Sequence, residues 1–394
     1  MKILFYRYKS ICEPDILDAF IELGHTVTEF WHDQGIDDMM SNTSSAIRSL
    51  SSFLLDHPQD AVFSINFFPH VSDVCNIFHL RYLSWIVDAP VLELFTAQIQ
   101  HPYNRVFIFD RALYEDVRQY NEANIFHFPL GAAVTKKSAL IHKVEKDIGT
   151  QFACDISFVG SLYTEKSPYD KLTGMSDYTL GFLDGIMKAQ KNIYGYYFID
   201  ELLTDQLIQE FKEHIPAYYQ NPYKNFMNDR YIISQLYIGH KITSMERKNT
   251  MQILSDHFQF HLYTTSETSE LSDIVNMGPA NTFTEMPLIF HQSKISLNTT
   301  SKAIRTGIPL RVFDIIACGG FVLSNYQPEI AEFFQLGSEI DCYGTMDELC
   351  EKASYYLEHD ALRAEMAEAA YERLISEYTF PIRLSLLLNL AFSI

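Results

Sequence analysis

The chain has 394 residues, 47% apolar and 20% charged, the balance of a cored globular protein and not of a disordered one. At one domain per roughly 150 residues, it has room for two domains or three. Fifty Asp and Glu against thirty Lys and Arg give a formal charge of -20, which excludes a nucleic-acid coat and broad adsorption to anionic lipid but permits one locally basic pocket for a small anion.

The first third alternates short apolar runs with amphipathic stretches. Lys2–Tyr6, Thr26–Trp31, Ala61–Ile65, Tyr82–Val87, Val106–Phe109 and Asn124–Phe128 read as strands. Helices are expected at Pro14–Leu23 (stopped by Gly24), Met39–Leu55, Val71–Phe78 and Ala112–Tyr120. Such alternation implies parallel strands joined by right-handed crossovers, so residues 1–150 are expected to form an open α/β domain. The polar stretch Ser138–Gln151 leads to a second domain, 151–380, which opens with the strand Asp155–Val159. From about Lys166 to Asp256 helical patterns replace strands, at Tyr178–Lys191, Asp200–His214, Asn225–Gly239 and Ser244–Ser255. This is a helical insertion. Strands resume at Phe258–Tyr263, Lys294–Leu297, Phe321–Ser324 and Glu339–Cys342, and helices alone follow Met346. Residues 381–394 are expected as a terminal helix packing back on the body; their apolar run is too short to span a bilayer.

Six scattered cysteines with no C-x-x-C read as reduced thiols, and no leader or membrane span is visible, so a cytoplasmic protein is expected. Two α/β sheets make a cleft between domains the expected binding site, at loops leaving the strands' carboxyl ends.

The densest chemistry lies between Ser293 and Asn325. A strand empties into a polar loop with Asn298, Lys302 and Arg305; Gly307 and Pro309 then introduce a helix that Gly319 and Gly320 end. A helix N-terminus offers free N–H groups and a positive dipole to an anion. Arg311 in the first turn suits a diphosphate, and Asp314, at i+3, suits ribose hydroxyls. An ordinary helix ion pair with a glycine C-cap has the same spacing, and spacing alone does not separate the two.

The run Gly307-Ile-Pro-Leu-Arg311-Val-Phe-Asp314-Ile-Ile-Ala-Cys-Gly319-Gly320-Phe321 resembles the C-terminal signature of the CgeB-like glycosyltransferases, the spore-maturation-protein group. Ser293–Asn298, Asp155–Ser161 and Tyr355–Leu357 are similar to that family's segments, and Trp85–Pro90 and Phe128–Gly131 to its N-terminal domain. The resemblance implies a GT-B fold: two Rossmann-like domains, with the nucleotide-sugar donor on the C-terminal one and the acceptor on the N-terminal one. It implies no cofactor and no metal. The wider retaining GT-B group has two glutamates eight positions apart on this segment; here Asp314 stands at the second and Thr306 at the first.

Other positions follow from local chemistry. Gly160 and Ser161 end a strand and suit close approach of a phosphate or sugar, or form a plain turn. Glu285 sits on a loop before a helix, which in GT-B proteins lies near the nucleotide base. Asp88, at a strand's carboxyl end, suits the base that accepts a hydroxyl proton, or an Asx turn before Pro90; His70 is an alternative base. Asp110 reads as a helix cap, and Asp37-Asp38 as capping and not a metal site; Lys241 and Arg247 either add positive charge to the cleft or are a helix start capped by Thr243 or Ser244 and a surface arginine.

The expected function is transfer of a sugar from a nucleotide-diphosphate donor to a hydroxyl of a glycan or protein, with Arg311 and Asp88 as the catalytic pair. A nucleotide-sugar epimerase or hydrolase on the same fold, or a non-catalytic envelope or spore-coat assembly protein, is the alternative.

Overall fold

The computed structural model describes residues 1–31 and 43–393, with backbone only for 145–148. Asp37 and Asp38 lie outside the described residues, as does the start of the helix expected from Met39. The chain forms two compact units.

The first unit begins with β1 (Lys2–Arg7), α1 (Glu13–Glu22), β2 (Thr26–Trp31), α2 (Thr43–Asp56), β3 (Ala61–Ile65), α3 (Pro69–Ile77), β4 (Arg81–Ile86), β5 (Asn104–Ile108), α4 (Arg111–Arg118) and β6 (Ile125–His127). Its strands make one parallel sheet in the order β2-β1-β3-β4-β5-β6, with Ile3 opposite Val27 and Ala61, and Trp85 opposite Phe107. All five residues of β3 are buried, as expected of an apolar strand covered on both faces. Phe63 takes Phe5 and Phe20 edge-on at 5.1 and 5.0 Å, the preferred geometry for aromatic pairs. Asp110 caps α4 by accepting from the Ala112 N–H.

The second unit begins at Val134, not near 150. The stretch read as a polar approach is α5 (Thr135–Ile148), which packs against a helix of this unit. β7 (Cys154–Val159) follows, then the insertion: α6 (Asp177–Lys191), α7 (Ile199–Leu202), α8 (Asp205–His214), α9 (Asp229–Ile232), a π-helical turn (Ile233–Ile238) and α10 (Gly239–His257). Ser176, Thr204 and Asn228 cap α6, α8 and α9 with their side chains. Because Asn228 starts the helix and the turn continues it into α10, Thr243 lies mid-helix; its hydroxyl bonds back to the Gly239 carbonyl and caps nothing. The piece Tyr219–Met227, expected inside the insertion, joins the first unit, where the Phe226 N–H donates to the Phe95 carbonyl and its ring stacks on Tyr120.

The α/β rhythm resumes with β8 (Phe260–Tyr263), β9 (Val275–Asn276), α11 (Met286–Gln292), β10 (Ser293–Asn298), α12 (Leu310–Ala317), β11 (Val322–Asn325), α13 (Pro328–Phe333), β12 (Asp341–Tyr343), α14 (Met346–Glu358) and α15 (Asp360–Glu377). The second sheet is parallel, in the order β12-β11-β10-β7-β8-β9. Ile156, Phe158, Leu297, Leu323 and Tyr343 fill its core. Strand order reverses between β7 and β10, whose carboxyl ends therefore flank the crevice where doubly wound sheets bind ligands. α16 (Phe380–Phe392) returns to the first unit: Phe380 meets Trp85 edge-on, and the Arg383 guanidinium lies 3.8 Å over the Phe128 ring.

None of the six cysteines is in a disulfide. Among the described residues no helix is long and apolar enough to cross a membrane, and no group of three or more His, Cys, Asp or Glu could hold a metal ion.

Candidate active site

β7 runs into Gly160-Ser161 and β10 into Asn298–Lys302. Arg247, on α10, joins the two ends: Nη1 donates to the Ser161 carbonyl and Nη2 to the Thr299 carbonyl, each at 2.5 Å. Its guanidinium packs 4.8 Å from the Tyr163 ring and 5.4 Å from that of Phe158. Arg247 is thus not the surface arginine that its polar helical neighbourhood suggested. Burial pulls its pKa below the ordinary value, and the nearby Arg311 charge acts in the same direction.

Arg311 stands in the first turn of α12 and lies over the Phe290 ring, with Nη1 against Met286 Sδ. Gly307, buried, and Pro309, which holds the N-cap position, lead into that turn. Asp314 Oδ2 is 3.8 Å from Arg311 Nη1, but its stronger partner is Lys137 of α5, whose Nζ lies 2.7 Å from Oδ1. Nothing in the local sequence marks Lys137, because it arrives from 177 positions away.

The other predicted residues divide. Ser161 Oγ donates to Glu165 Oε1 at 2.6 Å. Burial alone would push the Glu165 carboxyl up, but hydrogen bonds from Ser161, its own N–H, Ser266 and Thr164 outweigh it and bring the pKa down to about 2. Asn298 is buried and donates to the Thr300 and Ser324 hydroxyls, so it ties strand ends together. Glu285 flanks α11, accepts from the Asn281 N–H and is one residue from the Met286 side chain that touches Arg311.

Lys302 and Arg305, the cations of the polar loop after β10, both face carboxylates. The Lys302 ammonium lies 3.2 Å from the buried Glu246 carboxylate and 3.9 Å over the Tyr194 ring, and it donates to the Ile193 carbonyl. Arg305 faces Asp200 and Tyr197; burial raises the pKa of both, and the Arg305 charge opposes that rise. Gly319 and Gly320 stand at the far end of α12, about 12 Å from Arg311's turn for an eight-residue helix. Gly319 has φ +69°, and a Cβ on Gly320 would meet the Phe290 carbonyl oxygen at 2.7 Å. They make a tight stop and a close contact with α11, so they are not part of the ligand end.

In the first unit, Asp88 is exposed beyond β4. Asn66, held at φ +55°, donates to Asp88 Oδ2 at 2.7 Å and accepts from the Val87 N–H. His70 is buried with Nε2 2.8 Å from the Tyr6 hydroxyl, away from solvent.

Residues 247–389 match the family model described as glycosyl transferase-like, a span that holds Arg247, Arg311 and Asp314. No curated protein is a significant sequence relative of this chain. Among solved structures, Anabaena HepE in complex with UDP and glucose is similar over all of both chains, at 10% identity and a TM-score of 0.54. A glycosyltransferase from Rickettsia africae is similar at 11% identity and 0.55, over all of this chain and 98% of that one. Sucrose-phosphate synthase from Thermosynechococcus elongatus gives 8% identity and 0.57, over all of this chain and 99% of its own. At such identities the likeness is one of fold, and it fits two parallel Rossmann-like sheets. With its matched domain spanning the Arg311 helix, the chain is a glycosyltransferase of GT-B architecture.

Proposed function

We propose that this glycosyltransferase takes its sugar from a nucleoside-diphosphate donor and passes it to a hydroxyl of a glycan or protein, as a cytoplasmic, metal-independent enzyme of CgeB-like type. The observation that carries the donor assignment is Arg311 in the first turn of α12, the helix that follows β10. A guanidinium at the positive end of a helix suits a ligand of negative phosphates. HepE, similar in fold, has been crystallised with UDP-glucose.

On this reading Arg311 and the α12 N-terminus absorb the charge that grows on the leaving diphosphate as the sugar–oxygen bond breaks. Asp314, paired with Lys137, accepts from the ribose hydroxyls. Gly160 and Ser161 line the phosphate or sugar, and Glu285 lies toward the base. Asp88, steadied by Asn66, takes the proton of the acceptor hydroxyl. Calorimetry against UDP-, GDP- and dTDP-sugars tests the donor. Binding of none of them, or unchanged binding in Arg311→Ala, overturns the proposal.

A further inference from the structure

The donor reading above leaves open what keeps the crevice in shape, and α10 supplies an answer. Glu246 and Arg247 are consecutive, yet between them they reach the carboxyl ends of three neighbouring strands. Arg247 bridges the backbone after β7 to the backbone after β10. Glu246, 1% exposed, accepts from Asn325 Nδ2 at the end of β11 at 3.1 Å and pairs with Lys302 beyond β10. Asn325 in turn accepts from the Thr300 N–H at 2.8 Å. The two carbonyls that Arg247 joins belong to loops either side of the strand-order reversal, and hydrogen bonds of the sheet end before them. Without a bridge, two adjacent carbonyl oxygens would repel, and the loops would separate.

Arg is the side chain suited to this task. Its planar fork sends two N–H groups to two acceptors in fixed geometry, whereas an ammonium is a single rotatable point charge. The Arg247 Nε lies buried without a hydrogen-bond partner, so the guanidinium is held there by its two carbonyl bonds and the Tyr163 and Phe158 rings.

We infer that Arg247 is a positioning residue of the donor site: it clamps the loops after β7 and β10 at the separation that receives the diphosphate, acting through backbone and not as a catalytic group. The inference rests on the donor reading. A displacement of about 1 Å at such a site costs about 100-fold in rate.

The test uses the full chain with UDP, GDP and dTDP as probes, in wild type, Arg247→Lys and Arg247→Ala. Arg247→Lys should keep a Tm within about 4 °C of wild type, while in both variants affinity for the preferred nucleotide falls about 10- to 100-fold. Added guanidinium ion, which refills the space between the carbonyls, should restore part of the affinity of Arg247→Ala, and ammonium should not. Wild-type affinity in both variants overturns the clamp. So does a loss that follows Tm downward and that guanidinium fails to reverse, which is a general folding role. Failure of the wild-type protein to bind any of the three nucleotides overturns the donor reading instead.

Discussion

Lys137 Nζ lies 2.7 Å from Asp314 Oδ1, with the two side chains only 9% and 14% exposed, so the carboxylate that the ribose would meet is already fixed by a cation from a distant helix. The pair ties α5 to α12, and Arg311 Nη1 stands 3.8 Å from the other carboxylate oxygen, Oδ2. Lys137→Met should cost about 2 kcal/mol of stability, below the 3–5 kcal/mol of a wholly buried pair, because some solvent reaches Asp314. Arg311 would then turn toward the freed carboxylate, and KM for the donor should rise with little change in kcat. Urea unfolding and initial-rate kinetics read the two effects separately.

Arg311 is expected to act on the transition state more than on the resting complex, because charge on the diphosphate grows as the bond breaks. Arg311→Ala should lower kcat/KM about 100-fold or more, the scale of losing one charge-stabilising donor. Arg311→Lys should recover part of this, since the ammonium keeps the charge and loses the fork. Equal activity of all three proteins would remove Arg311 from the reaction.

Gly320→Ala separates packing from binding. A Cβ there would stand 2.7 Å from the Phe290 carbonyl oxygen and 2.9 Å from Ile315 Cγ2, and backbone oxygen cannot move aside. A loss of about 1–3 kcal/mol is expected from overpacking, with nucleotide affinity unchanged because the residue lies at the far end of α12. A fall in affinity at unchanged Tm would return Gly320 to the ligand site.

His240 gives the insertion an acid sensitivity. Burial lowers its pKa from 6.5 to about 4, which the bond to the Lys166 carbonyl opposes and the Lys166 charge reinforces. The folded form therefore binds fewer protons than the unfolded form between these values. Its contribution to stability is complete above about 6.5 and is lost as pH falls toward about 4. His240→Phe should flatten the pH dependence of Tm across that window, and an unaltered profile would show that other groups set it.

Much of the architecture was legible along the chain because its signals are local. Continuous apolar runs such as Ala61–Ile65 are what a strand covered on both faces needs, and Pro309 and Gly319 mark the two ends of α12 through backbone geometry. β9 escaped notice because it is two exposed residues with no apolar pattern. The Ser138–Gln151 stretch reads as an approach to the second domain because its lysines mask a helix whose packing partner comes from far away in sequence.

The site was harder to read for the same reason. Residue type and helix spacing sufficed to single out Arg311 and Asp314, since i and i+3 share a helix face wherever the helix lies. Which charges stay open is a matter of neighbours brought in from elsewhere: Glu246 neutralises Lys302, Lys137 takes Asp314, and Arg247 spans two strand ends that are 138 positions apart in the chain, from Ser161 to Thr299. Periodicity and capping act over a few residues and so are written in the order of amino acids. Compensation of charge acts over a few ångströms, and strand order alone brings those residues within reach.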